Sequence, residues 1–134
     1  MLDQTNTIQD ISNLNLSLFG IGITLLTVLI SFTISKKDEV KVYSDVYKTS
    51  SMDLSLKGKI VYSIKYIKRL RKAIIHIGLI SAMSILSYMM YWIDKFLDIG
   101  WIVYAMIIIT FICLVYIITL IINTLLFFWR YTNT

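Results

Sequence analysis

The chain has 134 residues, no proline, one cysteine and one histidine, with 57% hydrophobic and 16% charged residues. Soluble domains average about half apolar and a quarter charged residues, and here the charges are also segregated. Three runs, 11–35, 73–93 and 99–129, contain no Asp, Glu, Lys or Arg. About 20 apolar residues in a helix span a bilayer core. The composition therefore predicts an all-α integral membrane protein with three transmembrane helices and excludes a small soluble domain.

The residue counts also argue against several kinds of active site. Cys113 alone forms no intrachain disulfide and no cysteine metal site. His76, the single histidine, leaves no pair for a catalytic metal. The five glycines are scattered and form no phosphate-binding loop. We therefore expect a protein that is not an enzyme and that binds no cofactor and no metal.

The chain opens with a polar segment, 1–10, that carries Asp3 and Asp10 and no basic residue. A cleaved signal peptide has a basic start and a shorter apolar core. Here the first basic residues, Lys36 and Lys37, follow the apolar run instead. We expect the first run, 11–35, to be an uncleaved transmembrane helix.

The loop between the first two runs, 36–72, is strongly basic. It holds eleven of the thirteen basic residues and four acidic ones, a net charge of +7. An excess of Lys and Arg in a loop of this length favours the cytoplasmic side. This places the N-terminal segment 1–10 outside, the turn 94–98 outside and the tail 130–134 inside, in a multi-pass protein of the inner (cytoplasmic) membrane. Aromatic residues near both ends of the spans fit an interfacial belt: Tyr88, Tyr91, Trp92, Trp101, Tyr104, Trp129 and Tyr131.

The cytoplasmic loop has a helical pattern. Val40, Tyr43 and Tyr47 recur at helical spacing, so the first helix is predicted to continue past Ser35. Residues 49–53 form the natural break, where Ser50 and Asp53 approximate a capping box. A second helical pattern starts near Leu54 and leads without interruption into the second span. The segment 36–72 is thus expected to be a helical hairpin.

The first span carries a row of small and polar residues at spacings of three and four, which places them on one face of the helix. We call this row the hydroxyl stripe: Asn13, Ser17, Gly20, Thr24, Thr27, Ser31 and Ser35. Small residues allow close packing of helices in lipid, and hydroxyls bond across the contact. A stripe of this kind can also line a water-filled pore between several copies. The pattern leaves both interpretations open.

The other spans carry fewer polar residues. In the second, Gly78 and Ala82 form a small-residue pair followed by Ser81, Ser84, Tyr88 and Tyr91, which favours packing against the first span. In the third, Asn123 is expected to face another helix or a cavity, beside Tyr116 and Thr119. His76 lies one turn inside the second span and is a candidate gate, or a headgroup-level residue. Cys113 is expected to be a packing residue.

A basic stripe precedes the second span at positions i, i+3, i+4 and i+7: Lys65, Lys68, Arg69 and Lys72. Such residues normally bind anionic lipid and fix topology. Alternatively, they receive an acidic cytosolic regulatory protein or ligand. Tyrosines interleave with the lysines and offer stacking surfaces for bases, but no motif supports nucleic-acid binding, which we disfavour.

The three uncharged runs, the basic hairpin 36–72 and the lack of catalytic residues resemble the layout of small membrane effectors of bacterial anti-phage defence. The resemblance covers the whole chain and implies disruption or depolarisation of the inner membrane upon a signal from a cytosolic sensor. Phage holins are similar in size and span count.

We therefore expect a homo-oligomeric, pore-forming inner-membrane protein gated through the hairpin, with membrane lipids, other copies of the chain and a cytosolic regulator as partners. Thr24, Thr27 and Ser31 would border the path, with Asn123 contributing. A non-conducting membrane anchor that recruits a cytosolic protein is the main alternative. A transporter subunit is disfavoured, because no span contains an acidic residue and no inverted repeat is visible.

Overall fold

A computed structural model of the chain describes residues 2–50 and 53–132, with side chains at 5–50, 53–126 and 129–130. The described chain consists of three α-helices: α1 (Leu2–Thr49), α2 (Leu54–Leu97) and α3 (Gly100–Thr132). Each is long and apolar enough to cross a membrane. The most apolar 18-residue segments of the three helices have mean hydropathies of 2.1, 1.8 and 3.0. Most large apolar side chains are exposed, as expected where lipid is the solvent. This is the architecture of a multi-pass membrane protein.

The helices extend beyond the uncharged runs. α1 has 48 residues and α2 has 44, or about 72 and 66 Å at 1.5 Å per residue, whereas a bilayer core is about 30 Å thick. The prediction that the first helix continues past Ser35 and breaks between residues 49 and 53 agrees with these ends. α2 also continues to Leu97, so the predicted turn at 94–98 is shorter, with Asp98 and Ile99 between the helices.

The turns between the helices have local explanations. Asp53 is the N-cap of α2, because its Oδ1 accepts a 3.0 Å hydrogen bond from the Ser55 backbone N–H. The predicted capping box is wrong in detail: the Ser50 hydroxyl donates to the Val46 carbonyl at the end of α1 instead (2.8 Å). Asp98 has a φ of 49°, a left-handed conformation that aspartate tolerates better than most residues.

The described chain divides into two units, one formed by residues up to Gly22 and from Leu79 onward, the other by Ile23–Gly78. In the first unit, segments of all three helices pack together. Its buried apolar side chains are few: Ile80, Ile102, Met106 and Cys113. Its buried polar side chains outnumber them: Ser12, Asn15, Ser81, Ser84, Ser87 and Thr110. The centre of this unit is therefore small and polar rather than large and apolar.

The second unit is an antiparallel pair formed by parts of α1 and α2. Burial recurs every third or fourth residue on both helices, as in a left-handed coiled coil. On α1 the shielded positions are Leu26, Leu29, Thr33, Lys36, Val40, Tyr43 and Tyr47. On α2 they are Leu56, Ile60, Ser63, Ile67, Leu70, Ile74 and Ile77. These positions define the contact face. Glu39 and Ser44 of α1 and Ala73, His76 and Gly78 of α2 are also half-buried, and the other described residues of the unit are exposed.

Candidate functional site

The hydroxyl stripe lies on a face of α1 that the chain itself leaves uncovered. All seven of its residues, from Asn13 to Ser35, are exposed. The residues that do pack occupy the neighbouring helical positions, such as Ser12 and Asn15 in the first unit and Leu26 and Leu29 in the second. None of the seven stripe residues is therefore among those buried between the helices of the chain.

Hydroxyl groups in the stripe bond to their own helix. Ser17 donates to the Asn13 carbonyl at 3.0 Å, and Ser31 donates to the Thr27 carbonyl at 2.9 Å. Thr27 donates to the Ile23 carbonyl at 3.0 Å. This bonding uses the hydroxyl hydrogen and lowers the cost of placing the group in lipid. The oxygen lone pairs remain able to accept a hydrogen bond from water or a neighbouring chain.

A polar cluster in the first unit is built around Asn15, which is fully buried. Its side-chain amide lies 2.8 Å from Thr110 Oγ1 and 3.1 Å from Ser87 Oγ, and donates to both. Thr110 and Ser87 in turn donate to the Met106 carbonyl at 2.8 and 3.3 Å. One amide thus links α1 to α2 and α3 through two hydroxyls. In a region without water, such bonds fix which helical positions face one another.

Two oxygen atoms beside this group have no hydrogen-bond partner among the described residues: Ser12 Oγ and Asn15 Oδ1. Both residues are at most 1% exposed. An unsatisfied buried acceptor raises the energy of the state that contains it. The three-helix contact is therefore stabilised by its amide donors and weakened by its free acceptors.

Sequence reasoning missed Asn15. Ser12, Asn15 and Gly22 are buried and Phe19 is half-buried, and together they have the same alternating spacing of three and four as the hydroxyl stripe. Two parallel rows that contain small and polar residues therefore run along α1, and the pattern alone does not say which one packs. The one available signal was the amide itself, because an asparagine in an apolar helix is costly without a partner.

Close approach between α1 and α2 depends on Gly22. A Cβ at this position would collide with Ser81 Oγ and lie 3.1 Å from Ser81 Cβ. The glycines singled out by the sequence pattern are different, because a Cβ on Gly20 or Gly78 meets no other atom within 4 Å. Ala82 is exposed as well. The close approach therefore lies at Ser81 and not at the predicted small-residue pair Gly78 and Ala82. Ser84 is buried as well.

The basic stripe also faces outward. Lys65, Lys68, Arg69 and Lys72 are all exposed and lie between the contact positions Ser63, Ile67 and Leu70 of α2. The hydroxyl stripe residues Thr24 to Ser35 are likewise exposed, outside the α1 contact positions of the same unit. The second unit therefore presents both stripes outward and does not bring them together in its contact.

The remaining predicted residues have varied environments. His76 is half-buried and has an interaction within the described chain. Asn123 is exposed on α3, so it does not face another helix of its own chain. Cys113 is buried at 3% exposure, consistent with a packing residue. Tyr131 of the predicted aromatic belt lies outside the described side chains.

A small ionic network occupies the contact face just beyond the uncharged run of α1. Lys36 forms an ion pair and hydrogen bond with Glu39, and the Tyr43 hydroxyl donates to the other oxygen of the same carboxylate at 3.1 Å. The Lys36 ammonium lies 6.0 Å from the centre of the Tyr66 ring of α2, and the Lys59 ammonium of α2 lies 6.0 Å from that of Tyr43. A cation is attracted electrostatically to the face of an aromatic ring. The two cation–ring contacts join α1 to α2 in this part of the hairpin.

Comparisons with known proteins found no match to this chain: no protein-family model, no curated protein and no solved structure matches it. The function is therefore argued from the residues alone.

Proposed function

We propose that the chain assembles into a homo-oligomeric channel in the inner (cytoplasmic) membrane, with the hydroxyl stripe of α1 bordering the path. The observation that carries the proposal is the exposure of the entire stripe on a span that contains no charged residue. A hydroxyl facing lipid gains nothing over a methyl group, whereas one facing water or a second chain accepts a hydrogen bond.

Several copies are needed because three touching helices, each about 10 Å across, leave no hole between them. Closed rings are the usual way in which identical chains associate. In such a ring, Thr24, Thr27 and Ser31 of each copy would face the axis or the neighbouring copy. Asn123, exposed on α3, offers a second polar contact to an adjacent chain.

The positive charge of the segment 36–72 supports an orientation with the hairpin in the cytosol, since Lys and Arg are retained on that side. The N-terminal segment and the turn near Asp98 would then face outward. Gating would act through the exposed basic stripe, Lys65 to Lys72, where a cytosolic protein or an anionic ligand binds. Opening the channel would depolarise the membrane, which suits an effector of anti-phage defence and also a holin-like protein.

The test is ion flux through liposomes that contain the purified chain, measured together with its assembly state. Replacing Thr24, Thr27 and Ser31 by leucine should abolish flux while leaving insertion intact, because it removes every hydroxyl from the middle of the stripe. The matched control is the double replacement of Thr119 and Thr124 by leucine. These α3 hydroxyls are also exposed and also bond to their own helix, at 2.9 and 2.8 Å, and their loss should leave flux unchanged.

Unchanged flux in the triple variant would exclude the stripe as the path. Equal loss of flux in the triple variant and the α3 control would show a general effect of added apolar volume and would also contradict the proposal.

A non-conducting anchor is the second candidate, favoured by the exposed basic surface of α2. Between Asp53 and Asp94 this helix carries no acidic residue, so it presents uncompensated positive charge to an acidic partner. An anchor predicts co-purification of a cytosolic protein that is lost when Lys65, Lys68, Arg69 and Lys72 are replaced by glutamine, with no ion flux in any condition.

A further inference from the structure

The α1–α2 unit contains a half-open cavity of about 240 Å³, lined by Lys36 of α1 and by Tyr62, Ser63 and Tyr66 of α2. One cation, one aliphatic hydroxyl and two phenol groups therefore meet at one place. All four side chains carry hydrogen-bond donors. Such a donor set suits a ligand rich in acceptors and negative charge, and phosphate is the common biological group of this kind.

Lys36 marks the boundary between membrane and water on α1. It is the first charged residue after the uncharged run 11–35, so its ammonium lies at the level of the lipid headgroups. Its position over the Tyr66 ring and its bond to Glu39 hold the side chain in the contact face instead of leaving it free in solvent. The cation is thus positioned before any ligand arrives, which reduces the entropy lost on binding.

Ser63 supplies the back of the cavity. It is a contact-face residue with only 5% exposure. It is the most buried of the four lining residues, so its hydroxyl contributes a polar group to an otherwise shielded part of the α1–α2 contact.

The electrostatic field around the cavity is positive. Glu39 neutralises Lys36 locally, but α2 has no acidic residue between Asp53 and Asp94. Within about a turn of Tyr62 or Tyr66 it carries four exposed basic residues, Lys59, Lys65, Lys68 and Arg69. A phosphate entering the cavity would therefore meet a net positive surface.

We propose that this cavity binds the phosphate of an anionic phospholipid headgroup. Phe32, one turn before Lys36 on the same side of α1, is exposed and offers an apolar surface for an acyl chain of a lipid whose phosphate contacts Lys36. This continuity favours a lipid over a soluble phosphate. The proposal rests on membrane insertion and does not depend on ion conduction.

The test is binding of a short-chain fluorescent phosphatidylglycerol to the full-length chain in neutral detergent micelles. Lys36→Gln should weaken binding about tenfold and Ser63→Ala about threefold, as expected for the loss of a charge-assisted and a neutral hydrogen bond. Lys37→Gln is the matched control: it removes the same charge one residue away, at an exposed position, and should change the affinity less than about twofold, since exposed charges act weakly.

Two further measurements distinguish a binding defect from a folding defect, and a lipid from a soluble phosphate. The double variant Lys36→Gln with Glu39→Gln leaves no unpaired carboxylate, so its helix content should match the parent while binding stays weak. Inorganic phosphate and phosphatidylcholine should displace the probe only at concentrations at least about tenfold higher than unlabelled phosphatidylglycerol.

An equal loss of phosphatidylglycerol affinity in Lys36→Gln and Lys37→Gln would show that binding depends on diffuse charge attraction, and it would overturn the proposed site. Equal potency of inorganic phosphate would assign the cavity to a soluble phosphate and overturn the lipid. Equal potency of phosphatidylcholine would remove the selectivity for anionic headgroups.

Discussion

Small shifts in helical position separate exposed from buried polar residues on α1. Asn13 is exposed and Asn15 is fully buried, although they are two residues apart in the same helix. Gly20 faces open space, whereas Gly22 contacts Ser81. In each pair the residue type is the same and the environment is opposite. The physical effect of a side chain in this protein therefore depends on which of two parallel rows it occupies.

The two glycines give a direct test at this scale. Gly22→Ala should destabilise the folded chain by about 1–3 kcal/mol, because the added methyl displaces Ser81 Oγ and crowds its Cβ. Gly20→Ala should leave stability unchanged or slightly raise it, since it meets nothing and favours helix. Unfolding by SDS from mixed micelles, followed by circular dichroism, measures both. Equal stability of the two variants would contradict the close contact.

The helices α1 and α2 each contain an uncharged run and a charged segment that belongs to the hairpin. α1 and α2 carry an alternating contact face through the second unit, and after Thr33 the α1 positions on it are Lys36, Val40, Tyr43 and Tyr47. Lys36 and Tyr43 can lie there because each keeps its polar end hydrogen-bonded to Glu39 while its apolar part packs. The end of the hairpin is stabilised locally by Asp53, whose carboxylate caps α2.

The Asp53 cap predicts that the stability of the first turn of α2 depends on pH. The hydrogen bond from the Ser55 backbone N–H, followed by the bond with the Ser55 side chain, holds the pKa of the Asp53 carboxyl below its usual range. A group whose pKa is lowered by folding stabilises the fold above its ordinary pKa, near 4, and loses that effect as the pH falls through its folded value. Fraying of the first turn of α2 should therefore increase below about pH 4.

Amide hydrogen exchange, corrected for intrinsic rates, measures this effect at residues 55–57. Asp53→Ala should lower their protection roughly fivefold at neutral pH and abolish its dependence on pH. Asp45→Ala is the control, because Asp45 is an exposed carboxylate within the body of α1; its loss should leave the protection at residues 55–57 and its pH profile unchanged. A protection that is independent of pH in the parent chain would rule out the cap.

At the scale of the whole molecule, the distribution of charge predicts the orientation in the membrane. With Cys113 replaced by alanine, Thr7→Cys should react with a membrane-impermeant maleimide in intact cells, because the N-terminal segment is expected outside. Ser50→Cys should react only after the membrane is opened. Both residues are exposed, so access to the reagent and not burial decides the outcome. Labelling in the reverse order would invert the topology and remove the cytosolic role of the basic stripe.

The candidate site was predictable only in part. The outward placement of the basic stripe follows from its charge, because lysine and arginine side chains are almost never buried. The Lys36 cavity was missed, since it needs residues about 30 positions apart, Lys36 and Ser63, to meet across the hairpin. The Asn15 contact was missed for the same reason, with partners 72 and 95 positions away.

The sequence by itself determined the three helices, their capacity to span a membrane and the break near residue 50. These properties follow from local hydropathy and from the cluster of Thr, Ser and Asp residues at 49–53, and neighbouring residues are enough to specify them. Only the tertiary structure decided which row of α1 packs, which glycine is needed and where Lys36 lies. Two rows with the same helical period satisfy the local rules equally, and the choice between them depends on side-chain volumes and hydrogen bonds supplied by α2 and α3.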